Sequence, residues 1–312
     1  MSGKIAYVFP GQGSQTVGMG KDLYDASDVA RAVFEEADSA LGFPISRVCF
    51  DGPEEDLQQT VNSQPAIMTV SVASLKAALK AAGEDGLKPD YVAGHSLGEY
   101  CALVAAEAFE FADAVRLVYE RGRLMHEAGL VRPGGMAAII GLDETCVAGI
   151  CFDSGVEIAN INSPAQIVVS GPKDALTKAV EIAKGMGARH AIELKVSGAF
   201  HSSLMEPVVE GMTKAISSVK FRDPKMPVVV NTSGKVASSA EEVKAELIWQ
   251  LCNSVQWNRS VEFMIESGVT TFIEIGPGRV LSGLIRRIDR NVNVLHIDSI
   301  KSLHRGVHES VK

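Results

Sequence analysis

Short apolar runs alternate with longer amphipathic segments along most of the chain. The apolar runs are nearly continuous, which is typical of strands buried on both faces of a parallel sheet. They occupy residues 5–9, 91–93, 228–231, 271–274 and 294–297. The helical periodicity covers residues 26–41, 64–82, 99–108, 111–128, 204–218 and 240–252. Buried strands separated by long helices predict an α/β fold, in which a mostly parallel sheet carries helices on both faces.

The segment 132–197 has a different pattern. It predicts strands at 136–140, 157–161, 167–170 and 190–196, with helices at 143–151 and 174–186. This βαββαβ order is ferredoxin-like. Gly134, Gly135 and Gly198 flank the segment, as is typical where a chain crosses between domains. We therefore expect a discontinuous larger domain, 1–131 and 198–312, with a small ferredoxin-like subdomain inserted at 132–197.

Composition narrows the classes of function. The 312 residues are 46% hydrophobic and 22% charged, with a formal net charge of −8, which is typical of a soluble globular protein. The acidic balance argues against nucleic acid as a partner, because neutralising phosphates requires a basic face. No apolar run approaches the length of a membrane span, and residues 1–9 show no signal or transit peptide. We expect a cytoplasmic protein that is not bound to a membrane.

The cysteines support neither a disulfide framework nor a metal site. They are odd in number and scattered, with no C-x-x-C spacing and no accompanying histidine cluster. They are Cys49, Cys101, Cys146, Cys151 and Cys252. Reduced thiols in a cytoplasmic protein without a bound metal are therefore the expectation.

The motif Gly94-His95-Ser96-Leu97-Gly98 matches the G-x-S-x-G pattern of a nucleophile elbow. In such an elbow a strand turns sharply into a helix and exposes the serine hydroxyl. A strand is predicted just before the motif and an Ala/Leu-rich helix just after it. At the helix N-terminus, free N–H groups and the dipole would stabilise an oxyanion. A plain Gly-Ser turn is the alternative, so the motif needs partners to become a catalytic site.

His201 is the candidate base for Ser96. It follows the predicted crossing from the small subdomain into the larger domain, and clefts between domains commonly bind ligands. The alternative is that His201 only precedes a helix capped by Ser202 and Ser203. His95 is a poor base, because adjacent residues on a sharp elbow point apart. The other histidines have no comparable context: His126, His190, His296, His304 and His308.

A third member of a catalytic triad is not evident. The acidic residues between Ser96 and His201 fall mostly on predicted helix surfaces or inside the insert. We therefore expect a backbone or amide oxygen, instead of a carboxylate, to hold the imidazole.

Arg121 lies on the apolar face of the predicted helix 111–128. Its neighbours on that face are Ala114, Leu117, Val118, Leu124, Met125 and Ala128. A buried guanidinium keeps its charge, so it must meet an anion or strong acceptors, and no acid shares the face. Two interpretations remain open: a structural salt bridge to another element, and a bidentate grip on a substrate carboxylate.

Two glycine-containing loops are less informative. The loop at 10–15 follows the first strand but lacks the lysine of a phosphate loop and the full G-x-G-x-x-G spacing. One of its backbone N–H groups could still point at a developing oxyanion. The sequence Gly276-Pro277-Gly278 predicts only a turn.

Taken together, these motifs resemble those of the malonyl-CoA:acyl carrier protein transacylase family, the acyltransferases of type II fatty acid synthesis. The matching stretches run in family order over almost the whole chain. They are Phe9-Pro10-Gly11-Gln12-Gly13-Ser14-Gln15, Gly94-His95-Ser96-Leu97-Gly98-Glu99-Tyr100, Arg121, Asn160-Ile161-Asn162-Ser163-Pro164, Gly198-Ala199-Phe200-His201 and Glu274-Ile275-Gly276-Pro277-Gly278. The resemblance implies an α/β-hydrolase-like core with a ferredoxin-like insert, in agreement with the pattern of strands and helices.

The resemblance also implies roles for individual residues. Ser96 would be the nucleophile, and His201 would be the general base. The main-chain oxygen of Gln250 would hold His201, which fits the missing acid. Backbone N–H groups of Gln12 and Leu97 would form the oxyanion hole.

Substrate recognition is implied in the same way. Arg121 would bind the malonyl carboxylate, and Asn162 would line the cleft. Phe200 belongs to an Ala-Phe-His run, which accompanies malonyl selectivity in related polyketide acyltransferases, and its ring would crowd an α-methyl group. Discrimination through one such contact is worth only about 1–3 kcal/mol. Ala199 stands where many relatives carry proline, a departure that we expect to affect loop rigidity more than chemistry.

The implied reaction is a ping-pong transfer of a malonyl group. Malonyl-CoA would acylate Ser96, and the phosphopantetheine thiol of acyl carrier protein would then accept the group. No cofactor and no metal are implied, and we expect a monomer. Three other functions remain open: an acyltransferase that serves a polyketide synthase, a serine esterase or thioesterase with the same elbow, and a non-catalytic binding protein that keeps the fold as a scaffold.

An acidic carrier protein would need a local basic patch for docking on this acidic chain. Arg286, Arg287 and Arg290 are the candidates. A solvated helix face is the alternative explanation for these three arginines.

Overall fold

Two separate sheets organise the chain in a computed structural model, which describes residues 3–83 and 88–303. In chain order the strands are β1 (Lys4–Phe9), β2 (Tyr91–Gly94), β3 (Gly135–Ile140), β4 (Glu157–Ser163), β5 (Gln166–Gly171), β6 (His190–Glu193), β7 (Val228–Val229), β8 (Val236–Ala237), β9 (Val269–Ile275) and β10 (Asn293–Ile297). The helices are α1 (Lys21–Ala26), α2 (Asp28–Leu41), α3 (Ile45–Asp51), α4 (Glu54–Gln58), α5 (Thr60–Ala82), α6 (Gly98–Ala105), α7 (Phe111–Val131), α8 (Glu144–Ser154), α9 (Lys173–Gly185), α10 (Glu206–Ser217), α11 (Ala240–Trp249), α12 (Trp257–Glu266) and α13 (Val280–Ile288).

The larger sheet has the strand order β10-β9-β1-β2-β7-β8. Its neighbouring strands run parallel, except for the antiparallel pair β7–β8, so the predicted mostly parallel sheet is confirmed. Phe9 pairs with Gly94 at the carboxyl ends of β1 and β2. The loop after β1 therefore lies beside the loop after β2. In open α/β sheets, ligands bind at this edge.

Helices α5 and α7 pack closely against each other beside the larger sheet. α5 is buried along most of its length, as expected of a helix that is apolar on nearly every side. A Cβ on Gly122 of α7 would lie 2.7 Å from the carbonyl oxygen of Thr60, so the two backbones approach each other closely there. This approach brings Arg121 of α7 within 2.6 Å of Gln64 of α5.

The smaller sheet has the strand order β4-β5-β3-β6, and all its pairs are antiparallel. It has an apolar core of its own, formed with α8 and α9 around Ile139, Ile150 and Leu176. The predicted βαββαβ order is confirmed, whereas the domain limits 132 and 197 stay predictions. Ile161 N–H donates to the Val255 carbonyl at 2.9 Å and so joins the small sheet to the rest of the chain.

Some predicted limits are wrong for identifiable reasons. The helix predicted over 26–41 is interrupted at Ser27, whose hydroxyl accepts from Ala30 N–H and caps α2. The helix predicted over 240–252 ends at Trp249, because the next carbonyl, that of Gln250, accepts from a histidine ring. The strand predicted over 190–196 ends at Glu193, opposite the early part of β3. Helices α1, α3, α4, α12 and α13 were not predicted. The first three have only five to seven residues and show no helical repeat, whereas α12 and α13 are amphipathic and could have been predicted.

The stretch that begins at Glu274 supports the loops at the carboxyl edge of the larger sheet. Glu274 is buried, and its carboxylate oxygens accept from Leu281 N–H at 3.0 Å and Ser282 N–H at 2.7 Å, at the start of α13. Burial raises the pKa of this carboxyl above its ordinary value. Gly276 has a φ of 131°, and a Cβ there would lie 2.3 Å from Ser71 Oγ, so glycine alone fits this turn.

Candidate active site

The sharp turn between β2 and α6 presents the Ser96 hydroxyl. Ser96 has a φ of 52°, in the left-handed region that non-glycine residues rarely adopt. A Cβ on Gly94 would lie 1.9 Å from the Gly98 backbone, and a Cβ on Gly98 would lie 2.1 Å from the Phe9 carbonyl oxygen. Asn231 holds the turn from the side, because its Oδ1 accepts from Ser96 N–H and its Nδ2 donates to the Gly94 carbonyl, both at 2.6 Å. Sterics and one amide therefore fix the serine's position.

His201 lies against Ser96 with a defined tautomer. Its Nδ1 is 2.8 Å from the main-chain oxygen of Gln250, and its Nε2 is 2.8 Å from Ser96 Oγ. A carbonyl oxygen can only accept, so Nδ1 carries the proton and Nε2 is free to accept the serine's proton. Burial, and secondarily the charge of Arg121, lower the pKa of His201 from its ordinary 6.5 to about 3. The ring is therefore neutral at physiological pH.

Arg121 is 1% exposed and reaches the nucleophile from α7. Its Nη1 donates to Gln64 Oε1 at 2.6 Å, and its Nη2 donates to Gln250 Oε1 at 2.9 Å and to Ser96 Oγ at 3.2 Å. All three acceptors are uncharged. Within the described part of the chain, the ion pairs do not include Arg121. Its positive charge is thus held by neutral oxygens beside the serine, and no structural salt bridge forms with these residues.

Ser96, His201 and Arg121 line one cavity of about 380 Å³. Other residues that line it are Gln12, Leu97, Met125, Met136, Asn160, Lys195 and Phe200. The backbone N–H groups of Gln12 and Leu97 donate to no protein acceptor among residues 3–83 and 88–303. Two such groups from adjacent strand ends are available to a negatively charged oxygen near Ser96. The cavity therefore combines a serine, a neutral imidazole, a cation and free N–H donors.

Asn162, predicted to line the cleft, contacts a residue of the cavity wall. Its Oδ1 lies 2.7 Å from His95 Nε2, and His95 is among the residues that line the cavity. Asn160, two positions earlier on β4, lines the cavity itself. The register of β4 against β5 shifts between Ile158 and Asn160 and between Ile161 and Ser163. The role of Asn162 stays a prediction.

Three buried polar residues at the site were not predicted. Gln64 contacts Arg121, Asn231 holds the elbow, and Glu99 accepts from the side-chain amide of Gln250 at 2.6 Å. Burial raises the pKa of Glu99 well above its ordinary value. A polar side chain inside an otherwise apolar helix is the signal that could have identified Gln64. Asn231 carries no comparable signal, because it follows a two-residue strand.

The predicted docking arginines are all exposed, but two of them make contacts. Arg286 Nη2 donates to the Val294 carbonyl at 2.9 Å, and Arg287 Nη1 donates to Gln166 Oε1 of the small sheet. Arg290 is exposed at the end of the same region. His304 and His308 lie outside the described residues.

The described part of the chain shows neither a metal centre nor a membrane-spanning helix. Residues 3–83 and 88–303 contain no group of three or more His, Cys, Asp or Glu side chains placed to hold a metal ion. Nor does any helix in those ranges have the length and apolar character needed to cross a membrane.

Several known proteins are similar to this chain over nearly its whole length. The acyl transferase domain family matches residues 6–311. The malonyl CoA-acyl carrier protein transacylase of Bacillus subtilis is 43% identical over 309 residues, which are 97% of this chain and 96% of that protein. The solved malonyl CoA-acyl carrier protein transacylase of Coxiella burnetii has a TM-score of 0.96 at 38% identity, over 99% of this chain and 98% of its own. A malonyl-transacylase solved in complex with its type II PKS acyl-carrier protein has a TM-score of 0.94 at 40% identity, over 98% of this chain and 99% of its own.

Proposed function

Because the chain belongs to the acyl transferase domain family, among the malonyl CoA-acyl carrier protein transacylases, we propose that it transfers malonyl groups from malonyl-CoA to acyl carrier protein. One observation carries the proposal. A buried guanidinium with no ion pair among the described residues lies 3.2 Å from the hydroxyl of a serine that is hydrogen-bonded to a neutral histidine. Such a cation fits an acyl group that ends in a carboxylate, and membership of the transacylase family favours transfer of that group over its hydrolysis.

Acylation uses Ser96 and His201 as nucleophile and base. Ser96 Oγ forms a bond to the thioester carbon of malonyl-CoA, while its proton moves to His201 Nε2. The C–S bond then breaks, and the imidazolium returns the proton to the CoA sulfur. The Nδ1–H bond to the Gln250 oxygen supports this cycle, because it stabilises both the neutral ring and the protonated one.

The oxyanion of each tetrahedral intermediate is assigned to the backbone N–H groups of Gln12 and Leu97. Both groups line the cavity with Ser96 and lack another acceptor in the described residues. Donors fixed in place before the reaction need no reorganisation when charge develops. Leu97 lies at the start of α6, where the helix dipole adds to the effect.

Arg121 is assigned to the malonyl carboxylate, and Phe200 to exclusion of an α-methyl group. The guanidinium has five N–H donors, of which the protein engages three in the contacts described above. Nε is buried without a partner among the described residues, so a substrate carboxylate would accept from the Nη groups, whose 3.2 Å contact to Ser96 Oγ is the longest of the three. Phe200 is 4% exposed and lines the same cavity, so a branched acyl group would meet its ring.

The second half-reaction regenerates the enzyme. The phosphopantetheine thiol of the carrier gives its proton to His201, and its sulfur attacks the malonyl-Ser96 ester. The serine leaves with the proton that His201 returns. The proposed reaction uses malonyl-CoA and acyl carrier protein as substrates and requires neither a cofactor nor a metal.

The partner is acyl carrier protein, which we place at the exposed arginines of α13 and its C-terminal end. Arg286, Arg287 and Arg290 present positive charge on an otherwise acidic chain, which would attract an acidic partner. We also propose that the protein is a monomer, that it is cytoplasmic and that it supplies fatty acid biosynthesis. A polyketide carrier is the second candidate, because one of the solved relatives was crystallised with a type II PKS acyl-carrier protein.

Intact-mass measurement tests the transfer in two steps. Malonyl-CoA alone should add the mass of one malonyl group to the wild-type chain and none to Ser96→Ala. Holo acyl carrier protein should then remove that mass from the enzyme and gain it. Rapid release of free malonate without a carrier would establish a thioesterase instead. A wild-type chain that gains no malonyl mass would instead favour a non-catalytic binding protein that keeps the fold as a scaffold.

Comparison of two carriers tests the pathway. Holo carriers from fatty acid and polyketide synthesis are offered to the same malonyl-enzyme, and the two values of kcat/KM are measured. We expect the fatty acid carrier to be preferred. A preference for the polyketide carrier would overturn this part of the proposal and leave the chemistry intact.

A further inference from the structure

Two glutamine side chains hold Arg121 from opposite sides. Gln64 Oε1 accepts from Nη1 at 2.6 Å, and Gln250 Oε1 accepts from Nη2 at 2.9 Å. Both glutamines are at most 1% exposed. An amide can present either oxygen or nitrogen to a neighbour, and a nitrogen facing the guanidinium would oppose donor to donor. The position of Arg121 therefore depends on what fixes the orientation of each amide.

Glu99 fixes the amide of Gln250. The Gln250 Nε2 donates to Glu99 Oε2 at 2.6 Å and to the Ser96 carbonyl at 3.2 Å. Rotating the amide by half a turn would place its oxygen against these two acceptors and its nitrogen against Arg121. Glu99 is itself fully buried, and its Oε2 also accepts from Asn231 N–H at 3.3 Å. The carboxyl thus determines which end of Gln250 faces the guanidinium.

Thr60 fixes the amide of Gln64 in the same way. The Gln64 Nε2 donates to Thr60 Oγ1 at 2.8 Å. The single hydroxyl proton of Thr60 is directed to Gln12 Oε1 at 3.1 Å, so its oxygen can only accept from Gln64. Thr60 is fully buried at the first turn of α5. Gln64 Nε2 also lies 3.5 Å from Met125 Sδ, a weak acceptor, so the hydroxyl is the stronger of the two contacts that turn the Gln64 oxygen toward Arg121.

We propose that Thr60 and Glu99 are positioning residues for malonyl selectivity, each acting on Arg121 through one glutamine amide. Neither residue is among those that line the cavity, so neither touches the acyl group. The inference rests on the proposed function, because it requires Arg121 to bind the malonyl carboxylate. Acetyl-CoA has no carboxylate and does not use Arg121. Loss of either positioning residue should therefore lower the malonyl-to-acetyl ratio of kcat/KM instead of lowering both values equally.

The variants Glu99→Leu and Glu99→Gln separate the effect of losing the hydrogen-bond acceptor from the effect of changing the side chain's size. The leucine variant gives the Gln250 nitrogen no acceptor at this position, and we expect the malonyl-to-acetyl ratio to fall about tenfold, a typical loss for one buried hydrogen bond. A glutamine at position 99 still offers an amide oxygen. We expect its ratio to remain within about threefold of the wild-type value, a rescue by the conservative variant.

Thr60→Val and Thr60→Ser provide the same separation on α5. Valine preserves the shape but removes the hydroxyl, so we expect the ratio to fall about fivefold, whereas serine should retain it. Thr69→Val is the matched control, since Thr69 is a buried threonine of the same helix whose hydroxyl bonds only to the Pro65 carbonyl. Any effect of Thr60→Val through Gln12 on the oxyanion loop acts on both substrates and cancels in the ratio.

The acylation rate of Ser96 is measured with malonyl-CoA and acetyl-CoA for each variant, with the melting temperature as a check on folding. Equal losses for the two substrates, or an unchanged ratio in folded Glu99→Leu and Thr60→Val, would overturn the inference. If Glu99→Leu does not fold, the contrast between Thr60→Val and Thr60→Ser decides. A wild-type chain that is never malonylated would instead refute the proposed function.

Discussion

The elbow around Ser96 and the setting of Arg121 meet at Ser96, where Arg121 donates to Oγ and Gln250 donates to the carbonyl, yet they differ in what mainly holds them. Gly94 and Gly98 lie two positions on either side of the serine, and the lack of room for a Cβ at each of them shapes the turn. Arg121 is held by glutamines 57 and 129 positions away along the chain. Backbone sterics, together with the one amide of Asn231, fix the elbow, and two glutamine amides fix Arg121.

This difference separates reactivity from selectivity. A rigid turn presents the same hydroxyl to every thioester, so it does not distinguish between acyl groups. The guanidinium is charged while its protein contacts are neutral, so on the proposed assignment it favours an acyl group that brings a negative charge. The two halves touch at Ser96, but most of the contacts in each can be removed separately. The four predictions below follow that division from the largest expected effect to the smallest.

Ser96→Ala removes the nucleophile from the elbow and leaves the glutamines that hold Arg121 in place. Without the nucleophile we expect no acyl-enzyme and a loss of turnover of about 10⁴-fold or more, in line with the removal of catalytic serines elsewhere. The amide contacts of Arg121 remain, so the variant should still bind malonyl-CoA with an affinity within about threefold of the wild type. Intact mass and calorimetric titration measure the two quantities. A malonylated Ser96→Ala chain would contradict the assignment, and Ser154→Ala on α8 is the control.

Arg121→Ala removes the guanidinium together with its hydrogen bond to Ser96 Oγ, a loss that acts on both substrates and cancels in their ratio. Truncating one partner of a buried charge pair costs about 2–4 kcal/mol, so we expect the malonyl-to-acetyl ratio of kcat/KM to fall about 10²-fold. Arg123→Ala removes an exposed arginine of the same helix and should leave the ratio unchanged. Steady-state kinetics with the two CoA esters provide the measurement. An unaltered ratio in Arg121→Ala would remove this residue from carboxylate recognition.

Gly98→Ala strains the elbow without removing a reacting group. The added Cβ would lie 2.1 Å from the Phe9 carbonyl oxygen, so the turn must shift. A displacement of this kind lowers acylation by about tenfold to a hundredfold for malonyl and acetyl alike. Gly149→Ala is the matched control, because nothing lies within 4 Å of a Cβ at that helical position. Wild-type rates in Gly98→Ala would show that the turn tolerates movement.

The smallest of the four expected effects is the change in the acylation rate with pH. Only the neutral imidazole accepts the serine proton, and burial lowers the pKa of His201 to about 3. From about pH 7 to pH 5 we expect kcat/KM to change by less than about twofold, whereas a base of ordinary histidine pKa would lose about 25-fold.

Stopped-flow acylation across this range measures the profile. A decline centred on the ordinary histidine value would contradict the environment described for His201. In Arg121→Ala the acid limb should move to higher pH, because the cation that opposes protonation of the ring is gone.

Local patterns predicted the parts of the site that depend on neighbours in sequence. The G-x-S-x-G spacing identified the elbow, and helical periodicity placed Arg121 on a buried face. Their catalytic and binding roles stay proposals until the variants are measured. The alternation of strands and helices was sufficient to predict both sheets, because burial on two faces or on one leaves a clear hydrophobic pattern.

The remaining features depend on contacts that no local pattern encodes. Asn231 reaches Ser96 across 135 positions only because β7 pairs with β2. Asn160 lines the cavity and Asn162 contacts His95 beside it, on a strand whose irregular pairing with β5 the sequence does not reveal. Gln64 and Glu99 belong to predicted helices, but their partners are set by how those helices pack.

Gln250 serves the site with two different oxygens. Its main-chain oxygen accepts from His201, and its side-chain oxygen accepts from Arg121. Any amino acid at position 250 provides the main-chain oxygen, whereas few side chains can place an acceptor 2.9 Å from Arg121. On the proposed role of Arg121, we expect a substitution here to alter which acyl group is accepted and to leave the contact between His201 and the main chain in place. Position 250 would then be a point at which the substrate range could evolve without an inactive intermediate.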